Sequence, residues 1–179
     1  MSIIDIHDKK FSLSIPETDI QESVKRVADQ INQDLIDKDP LFICVLNGAF
    51  MFAGDLMKQI NIPCEITFVK LSSYEGLYTT GKVKEVIGLN ENIVGRNIVV
   101  VEDIVDTGVT MEKIIASLTA KGAKEIKIAT FLQKPDALQR DITIDYVAMK
   151  IPNDFIVGYG LDYNGYGRNL KDIYTVVQE

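Results

Sequence analysis

Apolar residues recur along this chain with two different periods. Between residues 17 and 37, Ile20, Val24, Val27, Ile31 and Leu35 are spaced three or four apart, which predicts one helix with a single buried stripe. Asp39-Pro40 supplies its stop. "LFICVLNG" (41–48) is then a continuous apolar run closing on glycine, as expected of a strand covered on both faces. A second helical pattern, "AFMFAGDLMKQI", leads to a strand-like run, "CEITFVKLSSY" (64–74). "EGLYTTGK" (75–82) is polar, with no apolar period. "VKEVIGL" and residues 97–103 read as strands, and Met111, Ile114, Ile115 and Leu118 form another helical stripe with Gly122 placed to end it. "EIKIATFL", "YVAMKI" and "FIVGYGL" are further predicted strands. Strand–helix–strand alternation of this kind predicts an α/β fold with a mainly parallel central sheet flanked by helices. Ligands of such sheets bind beyond the C-terminal strand ends, where Gly48, Tyr74, Asp103 and Lys134 all fall.

With 179 residues, the chain is expected to be a single domain, residues 1–179. No apolar run reaches the length of a membrane span, and the first residues lack the layout of a signal peptide. Cys44 and Cys64 lie in strand-like runs and are expected as free thiols, with the cytoplasm as the compartment. A net charge of −7 with scattered lysines and arginines argues against a nucleic-acid surface. The only histidine, His7, stands in a polar segment and is expected at the surface, so His-based triads and zinc clusters have little to build on.

The chemistry concentrates in "VVVEDIVDTGVT" (99–110). An apolar strand, a Thr-Gly turn and a helical pattern build a phosphate cradle from backbone N–H groups. The stretch fits neither a P-loop nor a dinucleotide fingerprint, since only Gly108 is present and Val109 stands where a P-loop would have lysine. A plain turn with Asp106 or Thr107 as helix cap would explain the turn alone. It leaves Glu102-Asp103 unexplained, because adjacent carboxylates repel unless a cation or hydroxyl donors neutralise them. Acceptors for hydroxyls beside donors for phosphate describe a sugar-phosphate site.

The same stretch resembles the phosphoribosyl-pyrophosphate motif of type I phosphoribosyltransferases: apolar strand, two acidic residues, two apolar, then Asp-Thr-Gly-x-Thr. "VLNGAFMFAGDL" looks like that family's pyrophosphate loop, and "KLSSYEGLYTTGKVK" like the mobile loop of its hypoxanthine-guanine branch. "FLQKP" and "IPNDFIVGYGLDYNGYGRNL" look like that branch's purine-recognition region. The resemblance covers most of residues 40–170. It implies the type I fold, with a small hood formed by terminal segments, and transfer of ribose 5-phosphate from phosphoribosyl pyrophosphate to N9 of hypoxanthine or guanine. A phosphoribosyl-pyrophosphate-sensing regulator on the same fold is the alternative. It would need a basic surface and could dispense with Lys134 and Asp162.

By resemblance, Glu102 and Asp103 hold the ribose hydroxyls, directly or through Mg²⁺. Asp106, Thr107, Gly108, Val109 and Thr110 wrap the 5′-phosphate, and Asp106 is also the catalytic acceptor of the purine N7 proton. Lys134 would donate to the purine 6-oxo group, Phe155 would stack on the base and Val157 would meet its edge. Asp162, in the same region, would carry a second Mg²⁺, making Glu102, Asp103 and Asp162 the metal residues. Asn47, Gly48 and Arg168 would bind pyrophosphate, and Ser73-Tyr74 would anchor the closing loop. The family's pyrophosphate loop reads Leu-Lys-Gly in better-known members, whereas this chain has Leu46-Asn47-Gly48. A non-proline cis peptide is implied there, with Asn47 able to hydrogen-bond but not to supply charge. The resemblance further implies a homodimer or homotetramer acting on small molecules, with no nucleic-acid or membrane partner.

Overall fold

The computed structural model of the protein describes residues 3–72 and 84–177. Six strands form the central sheet: β3 (Leu41–Leu46), β4 (Glu65–Ser72), β5 (Lys84–Ile87), β6 (Asn97–Val105), β7 (Glu125–Gln133) and β8 (Tyr146–Lys150), in the order β5-β4-β3-β6-β7-β8. Every pairing is parallel except β5 with β4. The first half of the sequence-based expectation, a mainly parallel sheet, therefore holds.

Helices cover both faces. α1 (Glu17–Asp34) and α2 (Phe50–Met57) pack Ile20, Val24, Val27, Ile31, Phe52 and Leu56 against Phe42, Cys44, Val99, Val101, Ala129 and Phe131. On the other face, α3 (Val109–Ala120) packs Met111, Ile114 and Leu118 against Ile43, Val100 and Ile128. The β3 and β6 runs are continuously apolar because each is buried from both sides. α1 stops earlier than its stripe suggests: Leu35 is already its C-cap, and Asp37 and Asp39 adopt positive φ. Gly122, at φ +87°, follows the α3 cap residue Lys121, as its sequence position predicts.

A second, antiparallel sheet forms the hood from β1 (Ile3–Ile6), β2 (Lys9–Ile15), β9 (Ile156–Val157) and β10 (Ile173–Val176), in the order β1-β2-β10-β9. The β1–β2 hairpin turns at His7-Asp8, with His7 exposed at φ +53°. β1, β2 and β10 are absent from the apolar-pattern reading: within β1 and β2 only Phe11 is buried, so alternation is weak, and β10 is a run of only four residues, Ile173 and Tyr174 buried. The predicted strand "FIVGYGL" is corrected to the two residues of β9. Gly158, Tyr159 and Gly160 all take positive φ, a conformation that no strand continues through. Among the described residues no helix is long and apolar enough to cross a membrane. Both cysteines are free, Cys44 buried and Cys64 half-buried.

Candidate functional site

The C-terminal ends of β3, β6 and β7 carry the chemistry, as parallel sheets arrange it. β6 emerges from the core at Glu102 and Asp103: Glu102 is 8% exposed and Asp103 is half-buried. Burial, and then the Asp103 charge, hold the Glu102 carboxyl well above the usual carboxylate range. Burial raises Asp103 as well, against hydrogen bonds from Glu102 and the Ile104 N–H and the charge of Arg168. The two carboxylates thus lack the positive charge that would let both ionise freely. Their influence reaches the Cys44 thiol, which burial and both acids push up to about 12, so it is a packing group rather than a nucleophile.

Successive strand residues face opposite ways, and the pair divides accordingly. Glu102 lines a pocket of about 90 Å³ together with Ile104, Val105, Asp106, Thr107, Gly108, Thr110 and Met111. This is far below the ~300 Å³ of a site for a whole small-molecule ligand, so it suits one group of a ligand. Gly108 is the N-cap of α3 at φ +83°, where glycine costs nothing, and the helix N-terminus favours an anion. The Val109 N–H is steadied by Thr107 Oγ1 at 3.4 Å. Asp103 points instead to the end of β3, where a Cβ on Gly48 would overlap its Oδ2. The Leu46-Asn47 peptide there is cis, with Asn47 exposed and Gly48 buried.

Lys134 leaves β7 only 9% exposed, and its ammonium stands 4.0 Å from Asp106 Oδ2. Its backbone N–H donates to Val105 O and that of Gln139 to Thr107 O, so the segment after β7 is tied to the cradle. Arg168 donates to Gly160 O at 2.7 Å and pairs with Asp162 at 2.7 Å. A Cβ on Gly160 would overlap Gly48 O. Gly48, Asp103, Gly160, Asp162 and Arg168 are therefore one junction, although they come from three separate stretches of chain. Phe155 and Val157 belong to the hood. Phe155 is half exposed, with its ring 6.2 Å from Phe11 and 5.6 Å from Tyr163, while Val157 is buried beside Phe11 and Tyr174. Ser73 and Tyr74 lie outside the described residues.

Two residues at this junction escape a reading of the sequence. Tyr159 is 1% exposed and donates to Asp55 Oδ2 on α2 at 2.7 Å. The only linear trace of it is a tyrosine held between two glycines. Among the described residues no three His, Cys, Asp or Glu side chains gather into a cage for a metal ion. Magnesium does not require one, since it commonly binds through one or two carboxylates plus substrate oxygens.

Comparison with known proteins agrees with this geometry. Residues 17–164 match the phosphoribosyl transferase domain family. The chain is 42% identical over 164 residues to the hypoxanthine-guanine phosphoribosyltransferase of Streptococcus pyogenes, covering 91% of each chain. It is 37% identical over 174 residues to that of Aquifex aeolicus, covering 96% of this chain and 98% of the relative. A crystal structure of a hypoxanthine-guanine phosphoribosyltransferase from Bacillus anthracis superposes with a TM-score of 0.87 at 41% identity, over 93% of this chain and 97% of the other. The match extends over most of the chain in sequence and in fold: the chain belongs to the phosphoribosyl transferase family, in its hypoxanthine-guanine phosphoribosyltransferase group.

Proposed function

We propose that this protein acts in purine salvage, transferring the 5-phosphoribosyl group from phosphoribosyl pyrophosphate to N9 of hypoxanthine or guanine, with IMP or GMP and pyrophosphate as products. The observation that carries the reading is that Glu102 lines the pocket over the α3 N-terminus while its neighbour Asp103 faces the Gly48 loop. Carboxylates able to accept from sugar hydroxyls thus adjoin a helix N-terminus that favours phosphate, the two requirements of a ribose 5-phosphate.

Each residue then has a task. Glu102 and Asp103 accept from the ribose hydroxyls, which supplies the positive polarisation that the buried pair lacks. The backbone of residues 106–110, with the Thr107 and Thr110 hydroxyls, holds the 5′-phosphate. Lys134 donates to the purine 6-oxo group, and its partner Asp106 accepts the N7 proton as the new bond forms. The exposed ring of Phe155 stacks on the base and the Val157 backbone meets its edge. Asn47 and the Gly48 backbone receive pyrophosphate beside Arg168. Because Asn47 is uncharged, neutralisation falls to Arg168 and to metal. The acidic pair and Asp162 are hard oxygen donors suited to Mg²⁺, and Asp162 now spends its charge on Arg168. When bound, the ion neutralises the diphosphate leaving group.

The reading extends to a homodimer or homotetramer in the cytoplasm. Ile66 and Phe68 share the sheet face that α2 covers, and with Phe50 at the start of α2 they leave three large apolar side chains exposed. The test of the function is direct: purified protein with phosphoribosyl pyrophosphate, Mg²⁺ and hypoxanthine or guanine, followed by absorbance. Formation of IMP and GMP is expected, and absence of turnover with both bases overturns the proposal.

A further inference from the structure

Tyr159 occupies an unusual position. It stands between two glycines whose close contacts run to opposite sides, since a Cβ on Gly158 would overlap Asp172 O and one on Gly160 would overlap Gly48 O. Its own φ is +45°, a left-handed conformation that a non-glycine residue seldom adopts. The backbone is nonetheless pinned on both sides, Tyr159 N–H donating to Leu170 O at 2.8 Å and Gly160 N–H to Arg168 O at 3.0 Å. The side chain runs away from the hood into the main core, its ring centroid 4.7 Å from that of Phe131.

There its hydroxyl meets Asp55, which also accepts from Gln21 of α1 at 2.7 Å and pairs with Lys58 at 2.6 Å. Burial would raise the Asp55 carboxyl, but the Lys58, Gln21 and Tyr159 donors outweigh it and hold the group below its ordinary range. The acceptor is thus ionised throughout the neutral range, and burial together with this bond keeps Tyr159 protonated as the donor. α2 begins directly after the Asn47-Gly48 loop. One hydrogen bond therefore joins the helix that carries the pyrophosphate loop to the segment that carries Asp162 and Arg168.

We propose that Tyr159 and Asp55 are positioning residues of this site: their hydrogen bond sets the 158–168 segment against the Gly48 loop, fixing where Arg168 and Asp162 meet the diphosphate. The proposal rests on the functional reading above. It assigns the pair no contact with substrate. It predicts a defect confined to the diphosphate end of the substrate, which loss of general stability would not produce.

Steady-state kinetics on the full chain with Mg²⁺ test it. Tyr159→Phe is expected to raise KM for phosphoribosyl pyrophosphate roughly tenfold, within the roughly hundredfold that a misplacement of about 1 Å can cost. KM for hypoxanthine should stay within about twofold of wild type, and the melting temperature should move by only a few degrees. Asp55→Ala removes the same bond from the other side and should give the same split; it serves alone if Tyr159→Phe does not fold. Asp55→Asn keeps an acceptor and should return KM for phosphoribosyl pyrophosphate towards wild type. Unchanged KM in Tyr159→Phe and Asp55→Ala beside an active wild type overturns the clamp alone, as does an equal rise for both substrates. A wild type without turnover overturns the function and the clamp with it.

Discussion

Gly48 has no room for a side chain because a functional carboxylate fills the space. The atom that a new Cβ would strike is Asp103 Oδ2, at the end of a short side chain. Gly48→Ala should therefore fold, with Asp103 pushed aside, and lose on the order of a hundredfold in kcat/KM. Near-normal pyrophosphate binding by calorimetry would show that the loop has another role. Lys134 can only donate, so it favours a 6-oxo purine and penalises a 6-amino one, by on the order of a thousandfold or more when buried polar groups are left unpaired. Its burial beside Asp106 makes the mismatch costly. Lys134→Gln adds an acceptor; kcat/KM for hypoxanthine should fall and its ratio to that for adenine should narrow. An unchanged ratio would remove Lys134 from base recognition. Glu102 carries a cost in the protein without substrate or metal. Its folded carboxyl keeps a proton that the unfolded chain releases near 4.5, so stability falls as pH rises from there through the raised folded value. Glu102→Gln should melt higher than wild type at pH 7 in metal-free buffer, with the difference closing towards pH 4. A lower melting temperature for the variant at pH 7 would contradict the electrostatic cost.

At the scale of elements, the cradle depends on how α3 begins. Gly108 takes φ +83°, and a Cβ there would stand 2.9 Å from Leu138 Cδ1, 3.1 Å from Ile142 Cδ1 and 3.2 Å from Arg140 Cβ. Gly108→Ala must both strain the turn and displace the segment after β7, which also carries Lys134. We expect a loss of about 1–2 kcal/mol in urea unfolding from the backbone alone, and a higher KM for phosphoribosyl pyrophosphate. Wild-type stability in that variant would mean that the turn relaxes without cost. α1 begins differently. Its N-cap, Pro16, offers no side-chain cap, and Asp172 supplies one by accepting from the Glu17 N–H at 2.7 Å. The hood thus completes a helix of the main body.

For the whole molecule, the question is what brings charge balance to a site with so many acids. Glu102, Asp103, Asp106 and Asp162 face only Lys134 and Arg168 as described cationic partners in the site, and a diphosphate adds further negative charge. Excess chelator should abolish turnover, and Mg²⁺ should restore it. The melting curve without substrate should be unaltered by the chelator, since the ion depends on substrate oxygens for much of its coordination. Full activity in excess chelator would refute the metal requirement.

The sequence by itself determined the elements whose partners lie nearby along the chain. The α1 stripe, the apolar runs of β3 and β6, the Thr-Gly entry to α3 and the Gly122 exit are all local patterns, because side chains on one face recur at the period of the element. The acidic pair was legible for the same reason: strand, carboxylates, glycine and helix follow one another within a dozen residues. Tertiary structure alone decided which distant residues meet. Gly48 abuts Asp103 and Gly160, Tyr159 reaches Asp55, and Asp172 caps a helix 155 residues upstream. It also turned "FIVGYGL" from a strand into a short edge and a tight turn, and paired β2 with β10 to build the hood from both ends of the chain. Such contacts leave no period in the sequence, because they follow from strand order and packing rather than from the repeat of any single element.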